Sequence, residues 1–320
     1  MKITYIYHSG FLVESADAYY IFDYYRADFP VTDADKPVYV FVSHRHPDHY
    51  NPYVFEILRE KKVRRMTGIV SYDIKPRNYT SHMEGVEIIA AEPDKEYTLD
   101  NGALVRTLRS TDKGVAYVVT FDDGGVPRSV YHAGDLNDWV WDGEDERVNK
   151  WMTGSYRRYL VPVEGMHFDA VMVPVDSRQG DDMFRGIEYL LEKVKADAVY
   201  PMHYWDKPEV IMQFAEKYPQ YADIIRYTED RMDRYSVIED KNPREIVLLR
   251  GSGCVYKKCT FCDYYSDSGK DENVNYMINR AALSQVTGKY GNIEIINSGS
   301  VFELDKRTIE LIKKRCAECM

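Results

Sequence analysis

Short apolar stretches separated by polar turns dominate the first hundred residues. Segments 2–7, 11–14, 19–23, 38–42, 68–71 and 86–90 read as strands, and the first three are hairpin-like and rich in tyrosine and β-branched residues. Segments 103–109, 115–121 and 128–132 form a second set, with Asp-Asp-Gly-Gly at 122–125 as a hairpin turn. Helical periodicity appears at 52–62, 183–195 and 209–217. Between and after these helices, 169–175 and 198–202 read as buried strands. Two sets of strands with helices between them predict an α/β protein with layered sheets.

The strand at 38–42 runs into His44, His46, Asp48 and His49, and Asn51 and Pro52 then open a helix. Histidines two apart on extended backbone point to one side. A solvated polar turn seldom gathers three histidines and an aspartate in six residues. These side chains are suited to one or two divalent ions, zinc, iron or manganese.

This H-x-H-x-D-H string resembles the metallo-β-lactamase superfamily of hydrolases, over about residues 1–240. The opening YIYHSGFLVESADAYYIFDYY is similar to the first hairpin of the branch that contains phosphorylated-ascorbate lactonase. YHAGD and PMHYW follow in the family's order and supply Asp135 and His203. The resemblance implies a four-layer α/β/β/α sandwich with its ligands on loops at one edge. It implies one ion on His44, His46 and a third histidine, another on Asp48, His49 and His203, and Asp135 bridging.

The loop in which that third histidine is expected reads LRSTDKG and has none. Asp112 is the best substitute, because a carboxylate oxygen is a competent ligand for zinc or iron. The second set is complete, so it is expected to hold the firmer ion. His8, Asp23 and His132 are expected to support the site from outside the ligand set. Such a site would activate a water for attack on a small ester, lactone, amide or phosphodiester. Asp48 is the candidate to orient that water. Trp139 and Trp141, in NDWVWDGE, are candidates for a substrate wall or for a loop packed down by two indoles.

Composition narrows the setting. The 320 residues are 44% apolar and 13% aromatic, enough for a large domain and a smaller one. A net charge of −10 disfavours nucleic-acid partners and points to a small-molecule substrate. No apolar run is long enough to span a membrane, and the amino terminus does not read as a signal peptide, so a cytoplasmic location is expected.

All the cysteines lie beyond residue 250, at Cys254, Cys259, Cys262, Cys316 and Cys319. The polar, proline-containing stretch at 240–245 marks a boundary and gives domains 1–240 and 246–320. After an apolar strand the chain reads GSGCVYKKCTFC, a C-x4-C-x2-C loop. It resembles the cluster loop of radical S-adenosylmethionine enzymes of the archaeosine-synthase and elongator type. The resemblance implies a [4Fe–4S] cluster on Cys254, Cys259 and Cys262, with Phe261 beside it. It also places Ser298, Gly299 and Ser300 at the cofactor's methionyl group. Helices at 274–286 and 305–316 and a strand at 292–297 complete only a partial β/α unit. Such a unit has open strand edges and is expected to pack on another domain, a second copy or a partner chain. Two alternatives to the hydrolase remain: an iron–sulfur radical enzyme or accessory subunit carrying a hydrolase domain, and a degenerate, non-catalytic metal-binding module.

Overall fold

The structure is a computed structural model, and it describes residues 1–76, 81–230, 232–256, 258 and 264–319. The chain divides into two compact units, Met1–Lys207 and Pro208–Met320. Among the described residues no helix is long and apolar enough to cross a membrane.

The first unit is the expected sandwich. One six-stranded sheet runs in chain order: β1 (Lys2–Tyr7), β2 (Gly10–Glu14), β3 (Tyr19–Phe22), β4 (Val38–Val42), β5 (Met66–Ser71) and β6 (Glu87–Ala91). The second sheet uses β7 (Glu96–Thr98), β8 (Leu104–Arg109), β9 (Val115–Asp122), β10 (Pro127–His132), β12 (Ala170–Pro174) and β14 (Val199–Met202). A two-residue pair, β11 (His167–Phe168) with β13 (Lys195–Ala196), lies apart from both.

Aromatic rings join the inner faces. Tyr20 stacks on Phe121 at 4.7 Å between centroids, and Phe41 meets Tyr117 edge-on at 5.1 Å. The hydroxyl of Tyr117 lies 2.9 Å from the carbonyl oxygen of Val42, so this buried phenol has a partner. On the outer face of the first sheet, α1 (Val54–Glu60) buries Val54, Phe55 and Leu58 against β1, β3 and β4. Full burial of a side chain such as Phe55 is worth about 1.5–3 kcal/mol. The helix starts two residues later than expected, with Tyr53 at its N-cap and no side-chain cap, and Asn51 instead holds the preceding turn, its side-chain oxygen accepting from the amide of Tyr53 at 3.0 Å. Outside the second sheet lie α2 (Glu146–Leu160) and α3 (Arg185–Lys193).

Helix α2 was not among the helices expected from sequence. It buries Ser155, Tyr156 and Leu160, and half-buried Met152 and Tyr159 continue the same apolar stripe. Its start is set by Asp145, whose side chain accepts from the amide of Arg147.

The second unit contains α4 (Glu209–Lys217), β15 (Tyr235–Ile238), β16 (Arg244–Leu249), α5 (Glu272–Leu283), β17 (Ile293–Asn297) and α6 (Lys306–Cys319). Its sheet has the order β15-β16-β17, antiparallel then parallel. The polar stretch at 240–245 therefore falls at the turn of the β15–β16 hairpin, within this unit. Glu245 is fully buried but accepts from the Tyr235 hydroxyl at 2.7 Å and from the amides of Thr287 and Gly288 at 2.6 and 2.8 Å. A buried carboxylate is tolerable only when its lone pairs are used in this way.

Candidate metal centre

Loops at one edge of the first unit converge on Asp135. Its Oδ2 lies 3.4 Å from His44 Nε2, and its Oδ1 lies 3.3 Å from His49 Nε2 and 3.5 Å from His203 Nε2. The two oxygens of one carboxylate thus face two groups of donors. One group is His44, His46, Asp112 and Asp135, and the other is His8, Asp48, His49 and His203. Within each group the potential ligand atoms lie within 4.8 Å of one another.

Two glycines make the convergence possible. Gly114 and Gly134 adopt φ of 71° and 52°, a region that favours glycine. A Cβ on Gly114 would stand 1.9 Å from the Ser43 carbonyl oxygen, and one on Gly134 would stand 2.5 Å from Ser43 Cβ. Both loops therefore close directly onto the end of β4. One delivers Asp112, whose Oδ2 is 3.4 Å from His46 Nδ1, and the other delivers Asp135.

The imidazoles are oriented from behind. The Nδ1 of His49 donates to Asp23 at 2.7 Å, and that of His203 donates to Asp176 at 3.1 Å. The Ser43 hydroxyl donates to Asp23 at 2.6 Å, so the Nδ1 of His44, 2.9 Å away, donates to that hydroxyl. In all three rings Nδ1 is engaged from behind and Nε2 faces Asp135, the orientation a metal ligand requires. Among the described residues, the buried Nε2 atoms of His44 and His49, Asp135 Oδ1 and both ring nitrogens of His8 have no hydrogen-bond partner. Each such atom costs about 1–3 kcal/mol if left unpaired. The donor set therefore fits divalent cations.

His132 differs. Its Nδ1 accepts from the Gly134 amide at 3.1 Å, and its Nε2 donates to the Ser9 carbonyl at 2.8 Å. Both nitrogens are used, so it supports the loop. His8, placed outside the ligand set by sequence, has its Nε2 3.3 Å from Asp48 Oδ2 and its ring 4.3 Å from that of His203. Asp23, at the end of β3, also accepts from the Ser43 amide at 2.7 Å.

Charge in the site is balanced among these groups. Burial works against a charged His49, but the Asp135 and Asp23 carboxylates overcome it and push the imidazole up to about 9. Burial and the neighbouring His49 bring His44 down to about 4. Burial opposes ionisation of Asp135, yet His49, His203 and His44 together lower it to about 2. Burial also opposes the charge on Asp48, and the adjacent His8 and His49 imidazoles hold it well below the usual carboxylate range. Burial and the Asp135 charge raise Asp112. Several ionised carboxylates in a buried site are the environment a cation stabilises.

A cleft of about 380 Å³ opens over both groups, lined in part by Trp139, Trp141, Arg178 and Trp205. Trp139 is packed down, its indole N–H donating to the Asp135 carbonyl at 2.8 Å, and Trp141 lies parallel to it at 5.9 Å. Asp176, Arg178 and Trp205 were not singled out by sequence. The available signal was position: Asp176 lies just beyond the end of buried strand β12, where loops carry functional groups.

Residues 2–146 match the Beta-lactamase superfamily domain. His203 lies beyond the matched stretch, within the first unit. No curated protein matches the chain. Among solved structures, the metallo hydrolase Igni18 from Ignicoccus hospitalis is 20% identical, over 70% of this chain and 93% of its own, with a TM-score of 0.44. The isothiocyanate hydrolase from Delia radicum gut bacteria is 15% identical, over 70% of this chain and 95% of its own, with a TM-score of 0.40. Queuine lyase from Clostridium spiroforme, bound to SAM and queuine, is 50% identical over 28% of this chain, with a TM-score of 0.27. That match spans 38% of the lyase, well under two thirds of its length.

In the second unit, Cys254 is a free, half-buried thiol, whereas Cys259, Phe261 and Cys262 lie outside the described residues. Ser298 is buried, and its hydroxyl accepts from the Gly251 amide at 2.8 Å. A Cβ at Gly299 would stand 2.2 Å from Glu303 Oε2, the end of a flexible side chain, and Ser300 caps the turn that follows. The loops after β16 and β17 therefore lie side by side at the ends of adjacent parallel strands.

Proposed function

We propose that the first unit is a metal-dependent hydrolase. The observation that carries this reading is the inward-facing Nε2 of His44, His49 and His203 around the two oxygens of Asp135. His44, His46, Asp112 and Asp135 would hold one ion, and His8, Asp48, His49 and His203, with Asp135 shared, the other. A divalent ion bound there supplies a nucleophilic water at neutral pH and polarises a carbonyl or phosphoryl oxygen. Asp23, Asp176 and Ser43 fix the imidazoles, which keeps the donor atoms in place through turnover. Asp48, half-buried and lining the cleft, is the residue assigned to orient the attacking water. The substrate is a small ester, lactone, amide or phosphodiester. The test is a panel of these four classes with the zinc-, iron- or manganese-loaded chain. Chelator-sensitive turnover that disappears in Asp135→Ala supports the reading. Full metal loading without turnover on any class would instead identify a non-catalytic metal-binding module.

We also propose that residues 246–320, within the second unit, are the opening part of a radical S-adenosylmethionine domain. The contact of Gly251 with Ser298 favours this, because it sets the chain just before Cys254 beside the NSGS turn. The unit's described sheet has three strands, too few to enclose a reactive radical. Anaerobic reconstitution is expected to load a [4Fe–4S] cluster on Cys254, Cys259 and Cys262 without useful cleavage of S-adenosylmethionine. Substantial 5′-deoxyadenosine, lost in Cys259→Ala, would make the radical chemistry the leading activity.

A further inference from the structure

The side of the cleft at Arg178 does not take part in the donor groups. Arg178 approaches Asp176 with one edge of its guanidinium, Nε at 2.9 Å and Nη2 at 2.5 Å. Asp176 is fully buried, whereas the Arg178 side chain is 53% exposed. Among the described residues Nη1 has no partner, so its two N–H groups remain available to the cleft. The guanidinium carbon lies 5.9 Å from the Trp141 ring centroid and 5.1 Å from that of Trp205. Trp205 is partly exposed and held at φ 55°, two residues after His203 at φ 62°. Strain at two such nearby positions, in a loop over a donor cluster, persists where the surroundings enforce it, which is typical of binding sites.

Arg178 is the only lysine or arginine among the residues that line the cleft, and the acids there, Asp48, Asp112 and Asp135, face histidines. We propose that Arg178, Trp141 and Trp205 form a subsite for planar aromatic anions. A flat ring lies against the indoles, and one anionic group lies on the free edge of the guanidinium. Asp176 then ties this subsite to the donor cluster, since one carboxylate holds both Arg178 and His203. The preferred substrate class is accordingly an aromatic ester, lactone or amide that also carries one anionic group apart from the scissile bond. That last step rests on the hydrolase reading, while the subsite itself does not.

The test measures binding without turnover. Isothermal titration of the zinc-loaded full chain would compare 2-naphthalenesulfonate, its neutral analogue methyl 2-naphthyl sulfone, and ringless methanesulfonate. A sulfonate is a poor metal ligand and so reports on Arg178. The naphthalenesulfonate is expected to bind at least about tenfold more tightly than either comparator. Arg178→Met should abolish its advantage over the sulfone, and Trp205→Leu should reduce its advantage over methanesulfonate. Equal binding of sulfonate and sulfone by the wild-type chain would overturn the proposal, even if Arg178→Met also sheds metal. Sulfonate binding unchanged in a metal-replete Arg178→Met would do the same. Selective sulfonate binding without turnover on any ester, lactone, amide or phosphodiester would sink the hydrolase reading and leave the subsite standing.

Discussion

The fully buried carboxylate of Asp176 lies 3.1 Å from His203 Nδ1 and turns the imidazole so that its Nε2 faces Asp135. Burial opposes the charge on Asp176, but its bonds to His203 and Arg178 keep it well below the usual carboxylate range. An ionised acceptor behind a ligand both fixes its tautomer and raises its basicity. Asp176→Asn is therefore expected to weaken metal binding by about 10- to 100-fold while the fold persists. Competition with a chromophoric chelator would measure this, with circular dichroism as the control for folding. Unchanged affinity would mean that His203 is held in place by packing alone.

His8 and His132 are both buried near the site, and their hydrogen bonding separates them. His8 has two unpaired ring nitrogens beside Asp48, whereas His132 spends both of its own on backbone. His8→Ala is expected to lower metal content, read by elemental analysis, with little loss of stability. His132→Ala is expected to keep its metal when folded but to lose about 1–3 kcal/mol in urea unfolding, from stranded backbone groups. The reverse pattern would return His8 to a structural role.

Much of this was legible in the chain. Strands β1 to β5 alternate or run apolar between turn residues, and the H-x-H-x-D-H string sits at a strand end. Periodicity and ligand chemistry suffice for both. Helix α2 was legible too, since Met152, Tyr156, Tyr159 and Leu160 recur at helical spacing after Asp145, although it was not among the helices expected. Asp176 and Arg178 were not legible. A lone acid and base in a loop carry no pattern, and their roles exist only once the fold brings them to His203 and the indoles. The relation of His8 to Asp48 was hidden for the same reason, since 40 positions separate them and only sheet closure joins them.

The carboxylate at Asp112 leads to an unequal pair of sites. With two imidazoles and two carboxylates, the His44 group should bind its ion less tightly than the imidazole-rich His49 group binds zinc. Asp112→Ala and His44→Ala are each expected to leave about one ion per chain. His203→Ala should remove the tighter one. Asp112→His should restore a three-imidazole set and raise zinc affinity at the first position. Elemental analysis after dialysis against graded chelator would rank the sites. Complete metal loss in His44→Ala alone would invert the order.

Gly134 tests how closely the loops must approach. At φ 52° any side chain is strained, and a Cβ there would meet Ser43 Cβ at 2.5 Å. Strain of this kind costs about 1–3 kcal/mol, and the clash adds to it. Ser43 can retreat only by releasing Asp23 and His44, which its hydroxyl and amide hold. Gly134→Ala is therefore expected to lower the melting temperature and also to reduce metal content, because Asp135 follows directly in the chain. Gly143, at φ 80°, is the control, since a Cβ added there would meet nothing within 4 Å. Gly143→Ala should carry the backbone penalty alone and keep its metal. If both variants lose stability equally and both stay metal-replete, the packing of Gly134 on Ser43 does not position Asp135.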